Sequence, residues 1–165
     1  MAPFAQFVTL LARLAAALFV ASGAMLTYEV VARYFFTAPT IWAAELSQLC
    51  LIWGSLLAMA WCLRERRHIR ITAVTSLLPH GPRAAAEALA MLAVAIFSAI
   101  VVWKGFEIFW TSFERGRTTG SMLDLPIWIT ELAIPFGFAV LLAQALLEAL
   151  RAMQGEVPEE GAHGE

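Results

Sequence analysis

The 165-residue sequence has few side chains suited to catalysis or metal binding. Its histidines, His68, His80 and His163, lie outside the long apolar stretches, so a helical bundle would offer no axial ligand for a haem. Cys50 and Cys62 would lie ~18 Å apart along one helix, which is too far for a disulfide bond. Because metal-ligand clusters and phosphate-binding glycine loops are also missing, we expect no cofactor and no enzymatic activity.

The sequence does contain four long apolar stretches, with most charges placed at their ends. These stretches cover residues 14–32, 43–63, 85–110 and 127–150. Each is long enough to cross a hydrocarbon core of ~30 Å at a rise of ~1.5 Å per residue. The pattern predicts an all-α integral membrane protein, a four-transmembrane-helix bundle. We expect one membrane domain over residues 1–154 and a disordered acidic tail over residues 155–165.

The segment between the second and third stretches is basic and amphipathic. Read as a helix, it places aliphatic side chains on one face and arginines outside that face, which predicts a short interfacial helix. The positive-inside rule then places this segment, and both chain termini, in the cytoplasm. We call the segment the interfacial arm, and its residues are Arg64, Arg66, Arg67, Arg70, Ile71, Val74 and Leu78.

A set of polar residues lies within the apolar stretches, where ionisable groups are costly and each one suggests a function. In the predicted topology its charges lie near the non-cytoplasmic helix ends. The spacing predicts one ion pair at i,i+4 in the first stretch and one at i,i+3 in the third. The acids of the second and fourth stretches have no such partner and would pair across helices. The set comprises Glu29, Arg33, Glu45, Gln48, Lys104, Glu107 and Glu131.

Three interpretations of this polar set remain open: a structural network that locks the bundle, a contact surface for a partner subunit, and a proton or ion relay. A relay more often uses a carboxylate near mid-membrane.

In the second stretch, Glu45, Gln48, Ser55 and Cys62 fall within a ~100° stripe that is predicted to face protein. Asp124 is predicted to cap the fourth helix.

Two segments carry a family resemblance. Residues 29–79 read EVVARYFFTAPTIWAAELSQLCLIWGSLLAMAWCLRERRHIRITAVTSLLP. They contain an aromatic end to the first span, Trp-x-x-Glu opening the second, a Trp-Gly middle and a basic-His-Ile segment. The last span adds LPIW and IPFG. The sequence resembles the DctQ-type small membrane subunit of tripartite ATP-independent periplasmic (TRAP) transporters, through Arg33, Tyr34, Trp42, Glu45, Trp53, Gly54, Arg67, His68, Pro126, Pro135 and Gly137.

The resemblance implies a division of labour within a bacterial inner membrane. A periplasmic solute-binding protein would capture an organic acid, and a large multi-span permease subunit would carry the solute and sodium sites. The small subunit would brace the large one in the lipid bilayer, and nucleic acid is not an expected partner. Two alternatives are a self-contained four-helix proton-coupled exporter, which needs an essential carboxylate deep in the first span, and an accessory subunit of another membrane complex.

Overall fold

A computed structural model describes residues 2–65, 80–121 and 123–153 of the chain. Four long helices account for most of these residues, and each contains a segment that is long and apolar enough to cross a membrane. The prediction of an all-helical membrane protein with four spans is therefore confirmed. The helices are α1 (Ala2–Phe35), α2 (Ala43–Arg64), α3 (His80–Glu114) and α4 (Ile127–Met153).

The connection between α1 and α2 is a tight reversal. Thr37 has a left-handed backbone with φ of 50°. The Ala38 N–H then donates to the Ala32 carbonyl at 3.1 Å, which satisfies one of the carbonyls left open at a helix end. Pro39 follows and cannot continue the helix.

The connection between α3 and α4 folds into a short hairpin. The Thr119 N–H donates to the Leu125 carbonyl at 2.9 Å, and the Ile127 N–H donates to the Arg117 carbonyl at 3.0 Å. Gly120, with φ of 62°, supplies a left-handed turn position that glycine adopts without strain. The start of α4 is thereby held against the end of α3.

The helices pack in an open row with the order α1–α2–α4–α3. The main contacts join α1 with α2, α2 with α4, and α4 with α3. Over the described ranges, other helix pairs make at most marginal contact. The predicted bundle is thus not closed on itself, because in a membrane lipid tails cover an apolar helix face as well as another helix would.

A glycine lies at each of the three helix contacts in the row. A methyl group on Gly54 would lie 3.4 Å from the Ala15 carbonyl oxygen of α1. On Gly137 it would lie only 2.8 Å from Leu56 Cβ of α2, and on Gly105 it would lie 3.3 Å from two side chains of α4. Small residues at these positions let the backbones approach closely, as in other membrane helix pairs.

Buried side chains between the helices are mostly small or aliphatic. The buried Ser22 hydroxyl of α1 donates to the Ser47 carbonyl of α2 at 3.2 Å. One apolar cluster lies between α1 and α2, and a second between α2, α3 and α4. Their buried members are Leu11, Ala15 and Leu57 in the first, and Leu63, Ala95, Leu141 and Ala145 in the second.

Two helices extend beyond the predicted apolar stretches. α1 begins at Ala2, before the stretch that starts at residue 14, because one arginine at position 13 does not interrupt a helix. α3 begins at His80, where Pro82 lies in the first turn that tolerates proline. Asp124 adopts a left-handed backbone with φ of 51°, and its carboxylate forms no cap within the described part of the chain. The predicted interfacial helix and the acidic tail lie outside the described residues.

Candidate functional site

The Glu29 carboxylate, near the end of α1, has both of its oxygens hydrogen-bonded. Glu29 is 6% exposed, and its Oε1 accepts bonds from Arg33 Nη2 at 2.6 Å and Arg33 Nε at 3.1 Å. Its Oε2 accepts a bond from the Thr40 N–H at 2.9 Å and another from the Thr40 hydroxyl. The i,i+4 pair expected from the spacing is present, and the same carboxylate also ties the α1–α2 connection to α1.

Glu45, in the first turn of α2, borders a cavity of about 290 Å³. The cavity lies between α2, the α3–α4 hairpin and the first turns of α4. Glu45 Oε2 is buried, and no described residue donates a hydrogen bond to it. The predicted cross-helix partner of Glu45 is therefore not found within the described ranges. The polar lining residues are Glu45, Gln48, Thr119, Ser121 and Thr130.

The polar stripe on α2 is only partly covered by this chain. Gln48 and Ser55 are exposed, whereas Glu45 and Cys62 are partly buried. The buried face of α2 is formed instead by small and aliphatic residues that include Ser47. The stripe is predicted to face protein, but this chain leaves Gln48 exposed. The protein that covers Gln48 would therefore have to be another chain.

The polar residues of α3 and α4 form a separate group. Lys104 Nζ lies 2.8 Å from Glu107 Oε2, as the i,i+3 spacing predicts, and these side chains are 67% and 61% exposed. Glu131 on α4 borders a hollow of about 200 Å³ between α3 and α4, which Lys104 also lines. Glu131 Oε2 is buried and has no hydrogen-bond donor among the described residues.

The seven residues of the polar set therefore occupy distinct places along the row. The ion pairs within the set, Glu29–Arg33 and Lys104–Glu107, each lie within one helix. Glu45 and Glu131 each keep one buried oxygen without a donor from the part of the chain that the structure describes. The arrangement holds one connection in place at Glu29 and leaves unsatisfied acceptors at two other positions.

Comparison with known proteins assigns the family. The sequence model described as "Tripartite ATP-independent periplasmic transporters, DctQ component" matches residues 22–155. The match covers most of the chain and includes all four helices in whole or in part. The chain belongs to this family. A DctQ component is part of a transporter and is not an enzyme.

Curated relatives include two small permease proteins. The ectoine TRAP transporter small permease protein TeaB of Halomonas elongata is 25% identical over 129 residues, which cover 74% of this chain and 63% of the relative. The C4-dicarboxylate TRAP transporter small permease protein DctQ of Rhodobacter capsulatus is 29% identical over 125 residues, which cover 75% of this chain and 54% of the relative. The chain thus spans little more than half the length of these relatives.

A third relative is a longer permease. The isethionate TRAP transporter permease protein DctMQ of Oleidesulfovibrio alaskensis is 24% identical over 132 residues. These residues cover 76% of this chain but only 20% of the relative. In that relative, the segment similar to this chain is a minor part of one longer polypeptide.

The aromatic residues of the DctQ pattern contact neighbouring elements in two places. The ring of Trp42 stacks on Tyr28 of α1, with centroids 6.0 Å apart. Trp53 Nε1 donates to the Ile129 carbonyl at 3.2 Å, which joins the middle of α2 to the first turn of α4. Tyr34 is 77% exposed at the end of α1.

The glycines and prolines of the DctQ pattern shape the helix contacts. Gly54 and Gly137 lie at the α1–α2 and α2–α4 contacts. Pro135 lies inside α4 and packs against Gly105 of α3. Pro126 immediately precedes α4. These residues therefore act on how closely the helices approach and on where α4 begins.

Only the first residue of the interfacial arm has a described position. Arg64 Nη1 donates to the Ala5 carbonyl at 2.6 Å and so links the end of α2 to the beginning of α1. Arg64 Nη2 also lies 3.2 Å from Glu65 Oε1. The rest of the arm, including the family positions Arg67 and His68, lies outside the described residues.

Two buried polar residues on α4 were not included in the predicted polar set. Gln144 is 2% exposed and Glu148 is 5% exposed, and Gln144 Nε2 donates to Glu148 Oε1 at 2.9 Å. They lie toward the end of α4 that is opposite, along the helix axes, to the end of α2 that carries Glu45. Their i,i+4 spacing within an apolar helix is a signal that points to such a pair from sequence. Thr40, in contrast, gives no signal, since hydroxyl residues are common in connections.

Proposed function

We propose that this DctQ-family chain is the small permease subunit that braces a large sodium-coupled membrane subunit. The complex takes up an organic acid that a periplasmic binding protein delivers. The observation that carries the proposal is the open row of helices. Because each described helix makes its main contacts only with its neighbours in the row, long helix faces are available to a neighbouring subunit.

The DctMQ relative supports this partnership. Its segment similar to our chain covers 20% of a protein named as a permease, so that segment occurs together with much additional sequence. The joining of the two parts in that relative supports a physical partnership between a segment like this chain and a larger permease. The solute named for each relative is a property of that relative, and we extend to this chain only the class of organic acids.

We further propose that the chain is one membrane domain over residues 1–154, with the acidic tail over 155–165 outside it. The domain lies in a bacterial inner membrane with both termini in the cytoplasm. This orientation follows from the basic segment between α2 and α3, because short basic loops are retained on the cytoplasmic side.

The exporter alternative requires a carboxylate in α1 that is free to bind and release protons. Glu29 instead accepts hydrogen bonds from Arg33 and Thr40 on both oxygens. This geometry favours a structural role for Glu29. An accessory role in an unrelated complex is disfavoured by membership of the DctQ family.

Reconstitution into proteoliposomes tests the proposal. The chain is tested alone, with a large subunit, and with both a large subunit and a binding protein, whose genes are first sought beside its own gene. Uptake of the solutes named for the three relatives, namely ectoine, a C4-dicarboxylate and isethionate, is measured under an imposed sodium gradient. We expect uptake of an organic acid only when all three components are present, and no uptake after the gradient is dissipated.

Two results would contradict the proposal. Gradient-driven uptake by this chain alone would support the exporter alternative. Full uptake by the large subunit and binding protein without this chain would show that no brace is needed.

A further inference from the structure

The surface of α2 beside Glu45 has the features of a binding site that this chain does not fill. The cavity there measures about 290 Å³, at the small end of the range in which proteins bind ligands. It is a suitable size for one long side chain. Its lining combines aliphatic residues such as Ile52 with the polar groups of Glu45, Gln48, Thr119, Ser121 and Thr130.

Among the described residues, the lining contains a negative charge and no positive one. No arginine, lysine or histidine of the described ranges borders the cavity. Glu45 Oε2 is buried without a donor from the described residues, whereas both oxygens of Glu29 are bonded. A buried carboxylate oxygen without a donor is unfavourable, so this position of the partly buried Glu45 favours a cation or a strong hydrogen-bond donor.

The neighbouring surface of α2 also differs from a surface made for lipid. Gln48, one turn beyond Glu45, is exposed on a helix that is apolar enough to cross a membrane. Polar side chains of membrane helices normally face protein or water and not lipid tails. The uncovered amide and the unpaired carboxylate lie together, which indicates a protein partner at this face.

We propose that an arginine or lysine side chain of the large membrane subunit inserts into this cavity and pairs with Glu45. This inference rests on the proposed function. The oxygens of Gln48 and of the lining hydroxyls would accept the remaining N–H groups of that side chain, since a guanidinium carries five donors. A phospholipid amine is a poorer fit, because its phosphate would lie beside Glu45 without a basic side chain to bind it.

Co-purification of the assembled complex tests this pairing. The full chain is co-expressed with an affinity-tagged large subunit, and the amount of chain recovered is measured for Glu45→Lys, Glu45→Gln and the wild type. We expect Glu45→Lys to lower recovery at least about tenfold, because it places like charges together. Glu45→Gln should lower recovery by a smaller factor, since an amide still accepts hydrogen bonds. Glu114 is an exposed acid at the end of α3, on the same side of the membrane as Glu45 in the proposed topology. Glu114→Gln therefore serves as the control, and its recovery should equal that of the wild type.

A charge swap then distinguishes lost pairing from misfolding. Each arginine and lysine in the spans of the large subunit is replaced by glutamate in the presence of Glu45→Lys. Recovery restored at one position identifies the partner and supports the proposal. The melting temperature of the isolated Glu45→Gln chain is measured in parallel. If the recovery of Glu45→Gln falls only because its melting temperature has also fallen, the proposal is overturned.

The remaining outcomes are also decisive. Recovery of Glu45→Lys equal to that of Glu114→Gln would overturn the pairing while the proposed function stands. Normal assembly accompanied by loss of bound phosphatidylethanolamine in native mass spectrometry would assign the cavity to lipid and overturn the pairing as well. Failure of the wild-type chain to co-purify would instead contradict the proposed function.

Discussion

Glu29 and Thr40 lie eleven residues apart, on opposite sides of the α1–α2 turn, and the Glu29 carboxylate binds both the N–H and the hydroxyl of Thr40. One acid thereby fixes the exit of α1, while Arg33 occupies its other oxygen. The position of Glu29 near a span end is consistent with this role, because the acid bonds to the connection that follows the span. The contact therefore accounts for a charge in an apolar helix without invoking transport.

Replacing Glu29 should loosen the α1–α2 connection. We expect Glu29→Ala to lower the melting temperature of the purified chain in detergent more than Thr40→Val. The valine variant loses the hydroxyl bond but keeps the backbone N–H bond to the carboxylate. Glu107→Ala, which removes an acid from an exposed ion pair, is the control and should leave the melting temperature nearly unchanged. Equal losses for all three variants would argue against a specific role for Glu29.

The glycine contacts predict a graded series of alanine substitutions. Gly137→Ala should destabilise the chain by about 1–3 kcal/mol, because the new methyl would lie 2.8 Å from Leu56 Cβ and 3.0 Å from the Leu56 carbonyl oxygen. A side-chain rotation cannot relieve a clash with backbone. Gly23→Ala has no atom within 4 Å and should be neutral or stabilising by up to ~1 kcal/mol. Urea unfolding in mild detergent measures both, and a destabilising Gly23→Ala would contradict this account.

Arg64 should stabilise the contact between α1 and α2 at the end opposite Glu29. Its bond to the Ala5 carbonyl is charge-assisted and 2.6 Å long, and the side chain is 22% exposed. We expect Arg64→Gln to cost roughly 1–2 kcal/mol of unfolding free energy. Glu65→Gln, which removes only the more exposed partner of Arg64, should cost less than about 0.5 kcal/mol. A larger effect of Glu65→Gln would place the stabilisation in the ion pair instead.

The orientation of the chain can be checked with single cysteines. Cys50 and Cys62 are first replaced by alanine. A cysteine at Ala38, in the exposed α1–α2 turn, should react with a membrane-impermeant thiol reagent in intact spheroplasts. A cysteine at Gly81, near the start of α3, should react only after lysis, because the basic segment before α3 is retained in the cytoplasm. The reverse pattern of labelling would invert the proposed topology.

The sequence alone was sufficient for the features that depend on spacing along one helix. Four apolar stretches predicted four spans, and i,i+4 and i,i+3 spacing predicted the pairs Glu29–Arg33 and Lys104–Glu107. Both kinds of inference need only the helical repeat and the thickness of a bilayer.

Features that depend on helix neighbours could not be predicted in this way. The order α1–α2–α4–α3 is set by close backbone contacts, among them that of Gly105, which no motif had marked. The cavity beside Glu45 needs the α3–α4 hairpin to fold back toward α2, so its lining joins residues from distant parts of the sequence. Glu148 lies toward the other helix ends from the acids of the predicted polar set, so the pattern that defined the set does not include it.

The order of helices in the row also has a consequence for how the chain enters the membrane. α1 and α2 form one helical hairpin, α3 and α4 form another, and the hairpins meet where Gly137 packs on Leu56. The α1–α2 contact can form as soon as α2 has been synthesised, since folding proceeds in N-to-C order during translation. The α3–α4 and α2–α4 contacts must wait until α4 has been synthesised. Biogenesis thus reduces to two local insertion steps and one late lateral docking step, which the close approach at Gly137 and the Trp53–Ile129 hydrogen bond stabilise.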